Sequence, residues 1–211
     1  DVKRLVALCK KSVPNRVTAE RPVRVMIMGI PNVGKSSLIN SLLGRRIAKV
    51  GNEPAVTKNQ QRFVTHNGLA IYDTPGILWP KIVDNDSTYR LAASGAIKDT
   101  VMEYEEVALY ALEFLLNDYP ELFKTRFKLD VLPDKPEIAL DEIGKRRGCL
   151  RAGGIINRHK AAEILIGELR SAKIGRLTYE TVEEWQHKAE LAEVARLEEL
   201  ARLELERRES E

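Results

Sequence analysis

One stretch, Arg24 to Leu43, RVMIMGIPNVGKSSLINSLL, constrains what this chain can fold into more than any other. It reads as a buried strand over Val25 to Met28, a glycine-flanked loop over Gly29 to Ser36, and a helix starting at Lys35 or Ser36. The loop fits G-x-x-x-x-G-K-[ST], with Gly29, Gly34, Lys35 and Ser36 at the required places, which is the P-loop pattern. Glycines at both ends let the backbone turn its N–H groups inward, where they and the positive end of the following helix cradle phosphates. Lys35 can set a point charge against the β- and γ-phosphates, and the Ser36 hydroxyl can ligate Mg²⁺ between them. The plain alternative is a glycine turn before a basic helix start. Strand, loop and helix nevertheless follow in the order that the motif needs.

A second motif narrows the reading. Two strand-like runs, Arg62 to His66 and Leu69 to Tyr72, flank Asn67-Gly68, a strong hairpin signal. The second run ends in Asp73-Thr74-Pro75-Gly76, a D-x-x-G, about 40 residues after the P-loop. A carboxylate there can hold Mg²⁺ through water, and the Gly76 N–H can sense a γ-phosphate. Together the motifs point to a GTP-hydrolysing switch. Gly44 is the expected stop of the P-loop helix, and the polar loop beyond it, with Gly51 and Pro54, carries Thr57. Thr57 is then the candidate switch I threonine, completing the Mg²⁺ shell when γ-phosphate is bound. An ordinary loop threonine is the alternative.

Charge is unevenly spread. The net is +3 over 211 residues, yet Glu183 to Glu211 carry ten acidic and five basic residues, so residues 1–182 carry +8. A basic body suits a polyanionic partner such as RNA. The two cysteines, Cys9 and Cys149, lie far apart with no His or Cys at ligand spacing, so neither a disulfide framework nor a zinc site is suggested. No run approaches the roughly 20 apolar residues of a membrane span, and DVKRLVALCKK is not a signal peptide. A cytoplasmic location, no membrane and no DNA partner, and a monomer are expected. A chain opening on a helix at Asp1 with no Met reads as part of something longer.

The rest is expected to be helical. Val2, Leu5, Val6 and Cys9 make a short amphipathic helix. Val101, Tyr104, Ala108, Ala111 and Leu115 line another that Tyr119-Pro120 ends, and Ala162, Leu165, Ile166 and Leu169 line a third. Between the last two, GKRRGCLRAGGIINRHK brings Lys145, Arg146, Arg147, Arg151, Arg158 and Lys160 beside four glycines, a pattern suited either to RNA backbone or to a solvated basic loop. In the tail, Glu184/Lys188, Glu198/Arg202 and Glu204/Arg208 stand at i,i+4, which supports a helix. Its Leu191, Val194, Leu197, Leu200 and Leu203 recur every third residue, a row that drifts roughly 60° per step. That leaves no single seam for a coiled coil, so a solvated helix that frays or docks on a partner is expected.

GIPNVGKSSLIN, PAVTKNQQ and DTPGILWPK, in this order and followed by RLAASGAIKD and KRRGCLRAGG, resemble the ribosome biogenesis GTPase A family (YlqF/RbgA), circularly permuted GTPases that assist assembly of the large ribosomal subunit. The resemblance covers roughly residues 2–180. It implies an α/β P-loop GTPase domain over 1–90, here without its N-terminal strands, an all-helical RNA-binding domain over 91–180 that docks on rRNA, and, beyond the likeness, a charged tail over 181–211. It implies GTP/GDP and Mg²⁺ as cofactors, and the large subunit's rRNA and proteins as partners. Carried over by residue, Asn32, Val33, Gly34, Lys35, Ser36, Ser37, Thr57, Asp73 and Gly76 bind the nucleotide. Ser36, Thr57 and Asp73 serve the metal, and Lys35, Thr57 and Gly76 act in catalysis. Asn32 resembles the asparagine with which some such GTPases hold K⁺.

The chain departs from the pattern in places. Ala55 replaces a glycine usual in the switch loop, and Ile77 stands where Ras-like GTPases have a catalytic Gln. An apolar side chain cannot orient water, so slow hydrolysis awaiting another group is expected. The guanine-reading N-K-x-D is absent and, in a permuted order, would precede Asp1; Ser171-Ala172-Lys173 imitates the other base motif at a helix end and is read as coincidence. With only three strands, VRVMIM is expected to have one unpaired edge, making this piece poorly soluble or weak in GTP binding. A GTPase timing large-subunit assembly is the leading reading. An RNA-binding assembly scaffold with negligible turnover is the alternative, and a P-loop ATPase a third.

Overall fold

In the computed structural model, residues 2–14, 21–48, 60–78, 82, 84–97 and 103–209 are described. They form eight α-helices and three strands: α1 (Val2–Ser12), β1 (Val23–Ile27), α2 (Lys35–Leu43), β2 (Gln61–Val64), β3 (Leu69–Asp73), α3 (Asn85–Ser94), α4 (Tyr104–Asp118), α5 (Pro120–Phe127), α6 (Pro136–Arg146), α7 (Arg158–Arg170) and α8 (Val182–Glu209). Thr57, Pro54, Ala55 and Val101 lie outside the described residues, as do Trp79 and Pro80 of the DTPGILWP run.

β3 is the middle strand of a three-stranded sheet, parallel to β1 and antiparallel to β2, in the order β1-β3-β2. The Asn67-Gly68 turn joins β2 and β3, and Ile71 is the partner of both Val25 and Phe63. Being central and mostly apolar, LAIYD is buried along nearly its whole length. β1 is an edge of this sheet, and Met26 and Met28 are exposed. β1 starts at Val23 and ends at Ile27, one residue short of Met28, which leads out of the strand into the P-loop. The core here consists of Val23, Ile39, Leu42, Leu43, Ala48, Leu69 and Ile71, and the α1 residues Val2, Leu5, Val6 and Cys9 pack against it as their spacing implies.

α3 to α7 build the helical part of the same compact unit, Asp1–Gly175. α4 packs against α6 and α7, and its Ala108, Ala111, Leu112 and Leu115 are fully buried with Leu140, Ile143, Ala162, Leu165 and Ile166 from its neighbours. α4 starts at Tyr104. Pro120 does more than end it: as the first residue of α5 its missing N–H costs nothing, and Pro136 plays the same part in α6. Asp84 and Asn157 cap α3 and α7 by accepting from Ser87 N and Lys160 N.

A second compact unit, Arg176–Glu211, contains α8. Glu184 and Lys188 pair across one turn at 3.6 Å. Leu191, Val194, Leu197, Leu200 and Leu203 are each 45–57 % exposed. Their three-residue recurrence winds around the helix, so no apolar face is gathered for burial. Among the described residues, no helix is long and apolar enough to cross a membrane.

Candidate functional site

The β1–α2 connection has the backbone that the glycines permit. Gly29 (φ 154°) and Gly34 (φ 90°) lie where L side chains are strained, and Gly34 opens α2. Lys35 is therefore the first residue of its helix, with Ser36 in the next position. Its ammonium folds back to donate to Gly29 O at 3.0 Å and Ile30 O at 2.7 Å. Burial pushes the Lys35 amine below its ordinary value, and the Asp73 charge opposes that shift.

Parallel pairing of β1 with β3 brings the second motif to the first. Ile27 is the partner of Asp73 at the ends of the two strands, and the Thr74 hydroxyl donates to Ile27 O at 2.8 Å, fastening the D-x-x-G run to the strand that leads into the P-loop. Asp73 is 1 % exposed, and its Oδ2 faces Ser36 Oγ at 3.5 Å, long for a hydrogen bond. Gly76 sits so close to the loop that a Cβ there would fall 2.6 Å from the backbone N and Cα of Pro31 and 3.0 Å from Lys35 Nζ. Hydroxyl, carboxylate, ammonium and the two glycine-bearing loops thus converge on one end of the sheet.

This donor set fits a metal-bound nucleotide phosphate. A neutral hydroxyl facing a buried carboxylate offers hard oxygen ligands, as Mg²⁺ requires, but too few to hold the ion without phosphate and water. Among the described residues no group of three His, Cys, Asp or Glu could hold a metal by itself.

Each candidate residue can now be located. Lys35, Ser36, Asp73 and Gly76 come together at the ends of β1 and β3. Val33 and Ser37 are exposed on the loop and on the first turn of α2. Asn32 has φ 59° and donates from Nδ2 to Gly95 O, at the end of α3, over 2.7 Å. Ile77 is 70 % exposed beside Gly76.

Some contributors carry no sequence signal. Thr74 and Pro31 sit inside the motifs at variable positions, where only tertiary contact gives them a task. Asn40 on α2 accepts from Ile47 N and Ala48 N, both at 2.9 Å, and donates to Ala48 O at 2.9 Å, pinning the start of the loop that leads to Thr57.

The basic segment divides once folded. Arg147 pairs with Glu168 at 2.8 Å and lies over the Phe127 ring, while Arg158 forms a fork with Asp141 at 2.7 and 2.8 Å. Lys145 and Arg146 both reach Glu142. Arg151 and Lys160 are exposed, and Arg151 Nη2 is 3.4 Å from Asn157 Oδ1. Ser171-Ala172-Lys173 is the end of α7: Ala172 has φ 54°, and Lys173 N donates to Glu168 O.

Residues 24–124 match a family model described as 50S ribosome-binding GTPase. The Priestia megaterium protein named ribosome biogenesis GTPase A is 49% identical over 164 residues, 78% of this chain and 57% of that protein. Its namesake from Bacillus cereus is 43% identical over 206 residues, 94% of this chain and 69% of that protein. Among solved structures, GDP-bound TM YlqF aligns with TM-score 0.56 and 28% identity over 85% of this chain and 67% of that one. GNP-bound YlqF from T. maritima aligns with TM-score 0.57 and 29% identity over 86% of this chain and 66% of that one. The chain thus spans between 57% and 69% of the length of the two relatives. With a P-loop and a D-x-x-G joined across parallel strands, and with this identity over nearly its full extent, the chain belongs to the ribosome biogenesis GTPase A family.

Proposed function

We propose that this chain is the phosphate-reading part of a GTP-hydrolysing switch that acts in assembly of the large ribosomal subunit. The observation that carries this reading is the convergence of Ser36, Asp73, Gly76 and Lys35 at the joined ends of β1 and β3. In this reading the backbone N–H groups of Asn32 to Ser37 hold the β- and γ-phosphates, and Lys35 exchanges its two carbonyl partners for phosphate oxygens. Ser36 and, through water, Asp73 hold Mg²⁺, which neutralises charge on the phosphates when bound. Thr57 and Gly76 read the γ-phosphate and order the two switch loops. The bound form favours the immature particle, and hydrolysis releases it. The names of the family and of its relatives support the ribosomal destination, and residues 91–180, with Arg151 and Lys160 exposed, are the part proposed to meet rRNA. Cytoplasmic action as a monomer belongs to the same reading.

Ile77 favours a second reading in one respect. Exposed and apolar, it offers the attacking water no hydrogen bond, so turnover by the protein alone is slow, and a docking scaffold with negligible turnover is the alternative. Hydrolysis by the full-length protein, with GTP and ATP compared in K⁺ buffer with and without large subunits, separates the two. Slow GTP turnover that rises several-fold with subunits supports the switch. RNA binding indifferent to nucleotide, with no stimulation, supports the scaffold. If Asn32 Oδ1 ligates K⁺, turnover is faster in K⁺ than in Na⁺; equal rates remove that role.

A further inference from the structure

The end of α3 is held from two sides. From one side Asn32, in the middle of the P-loop, donates to Gly95 O at 2.7 Å. From the other, Arg170, the last residue of α7, donates through Nη2 to Ala92 O at 2.8 Å and through Nε to Ala93 O at 3.2 Å. These are carbonyls of the last helical turn, where intrahelical partners are fewer and a cation is favoured by the helix dipole. Gly95 itself stands at φ 82°, its N–H returning to Ala92 O, and a Cβ on it would fall 3.0 Å from Arg170 Nε. A side chain at this left-handed position would be strained and would press on the guanidinium. α3 follows the D-x-x-G run in the chain and packs on α4 and α7, so the place where Gly95 O stands is set by the helical part.

We propose that Arg170 is a positioning residue for the P-loop: by fixing the end of α3 it fixes the acceptor of Asn32, and so couples the helical part to the nucleotide site. A rigid group with a defined partner on each side transmits displacement in either direction, and such coupling is reciprocal for binding. A partner that shifts α7 alters the posture of Asn32, and nucleotide that draws on Asn32 alters the hold on α3. The inference rests on the GTPase reading, since it concerns regulation of the same site.

The test is a double-mutant cycle on the full-length protein, reading affinity for a fluorescent N-methylanthraniloyl GDP, with melting temperature recorded for each variant. Arg170→Ala weakens the probe by about 3- to 10-fold in the wild-type background and by less than about 2-fold once Asn32→Ala is present. Gly95→Ala, which strains the turn and pushes on the guanidinium, reproduces the Arg170→Ala loss. Should Arg170→Ala fail to fold, Arg170→Lys, which keeps the charge but not the fork, takes its place in the cycle. Equal losses in both backgrounds, or a lowered melting temperature with unchanged affinity, overturn the coupling and leave the GTPase reading standing. A wild-type protein that does not bind the probe at all overturns both.

Discussion

Lys35 shows how one residue serves two states of a loop. Partly buried, its ammonium is held by two carbonyls of its own loop, and phosphate oxygens would be better partners because they are charged. Lys35→Ala should lower GTP turnover by about 10²-fold or more, the scale on which loss of a single preorganised stabilising donor is felt. Its melting temperature should move little, since the side chain is not part of the apolar core; isothermal hydrolysis and a thermal melt on one preparation test both halves. Gly76 is the opposite case, a residue whose importance is the absence of a side chain. Gly76→Ala places a methyl group against the Pro31 backbone and forces the D-x-x-G run off the P-loop. Overpacking of this kind costs about 1–3 kcal/mol, and turnover should fall at least about tenfold, beyond what the stability change explains. Wild-type turnover in this variant would show that the two loops need not touch.

Among the elements, α5, the loop after α6 and α7 meet at Glu168. Its carboxylate accepts both Arg126 Nε and Nη2 at 2.8 Å and is paired with Arg147 at 2.8 Å. Burial pushes this carboxyl up, but the Arg126 hydrogen bonds and the charges of Arg147, Arg126 and Lys173 outweigh it, leaving it below its ordinary 4.5. A carboxylate with a lowered folded-state value stabilises fully above the unfolded value, and this contribution disappears as pH falls through the folded value. Glu168→Gln should therefore cost about 1–3 kcal/mol at neutral pH. Wild type should lose melting temperature more steeply than the variant once pH drops below about 4.5, as thermal melts across that range would reveal. The same contacts explain why the basic segment could not be apportioned from composition alone. Six cations and four glycines look alike in a string, and only folding commits Arg147 and Arg158 to ion pairs that tie helices together.

At the scale of the whole molecule, the two compact units differ in what stabilises them. Residues 1–175 have apolar cores built from strands and helices, whereas α8 exposes Leu191, Val194, Leu197, Leu200 and Leu203 in a winding row and carries charge pairs within the helix. Helices without a buried stripe are held by propensity and pairs worth about 0.2–0.5 kcal/mol each. The full chain should thus lose part of its helical circular dichroism gradually on heating, before the cooperative transition of the first unit. A single sharp transition carrying all of the signal would show that α8 is held by packing. The division between the units falls at 175/176, where Gly175 follows the turn that closes α7.

Several features are determined by the sequence itself because they are local. The P-loop glycines, the stop at Gly44, the Asn67-Gly68 hairpin and the apolar faces of α1, α4 and α7 depend on dihedral preference and periodicity within a few residues. The motif residues Lys35, Ser36, Asp73 and Gly76 were legible for the same reason, since each needs a particular residue type at a particular spacing. Partnership between distant segments was decided only by tertiary structure. Thr74 on Ile27 O, Pro31 under Gly76, Arg147 on Glu168, and Asn32 and Arg170 meeting the end of α3 are pairs separated by 21 to 78 positions. A hydrogen-bond donor in a string of letters is chemically the same whichever acceptor it will find, and only packing of the helices and the sheet chooses one.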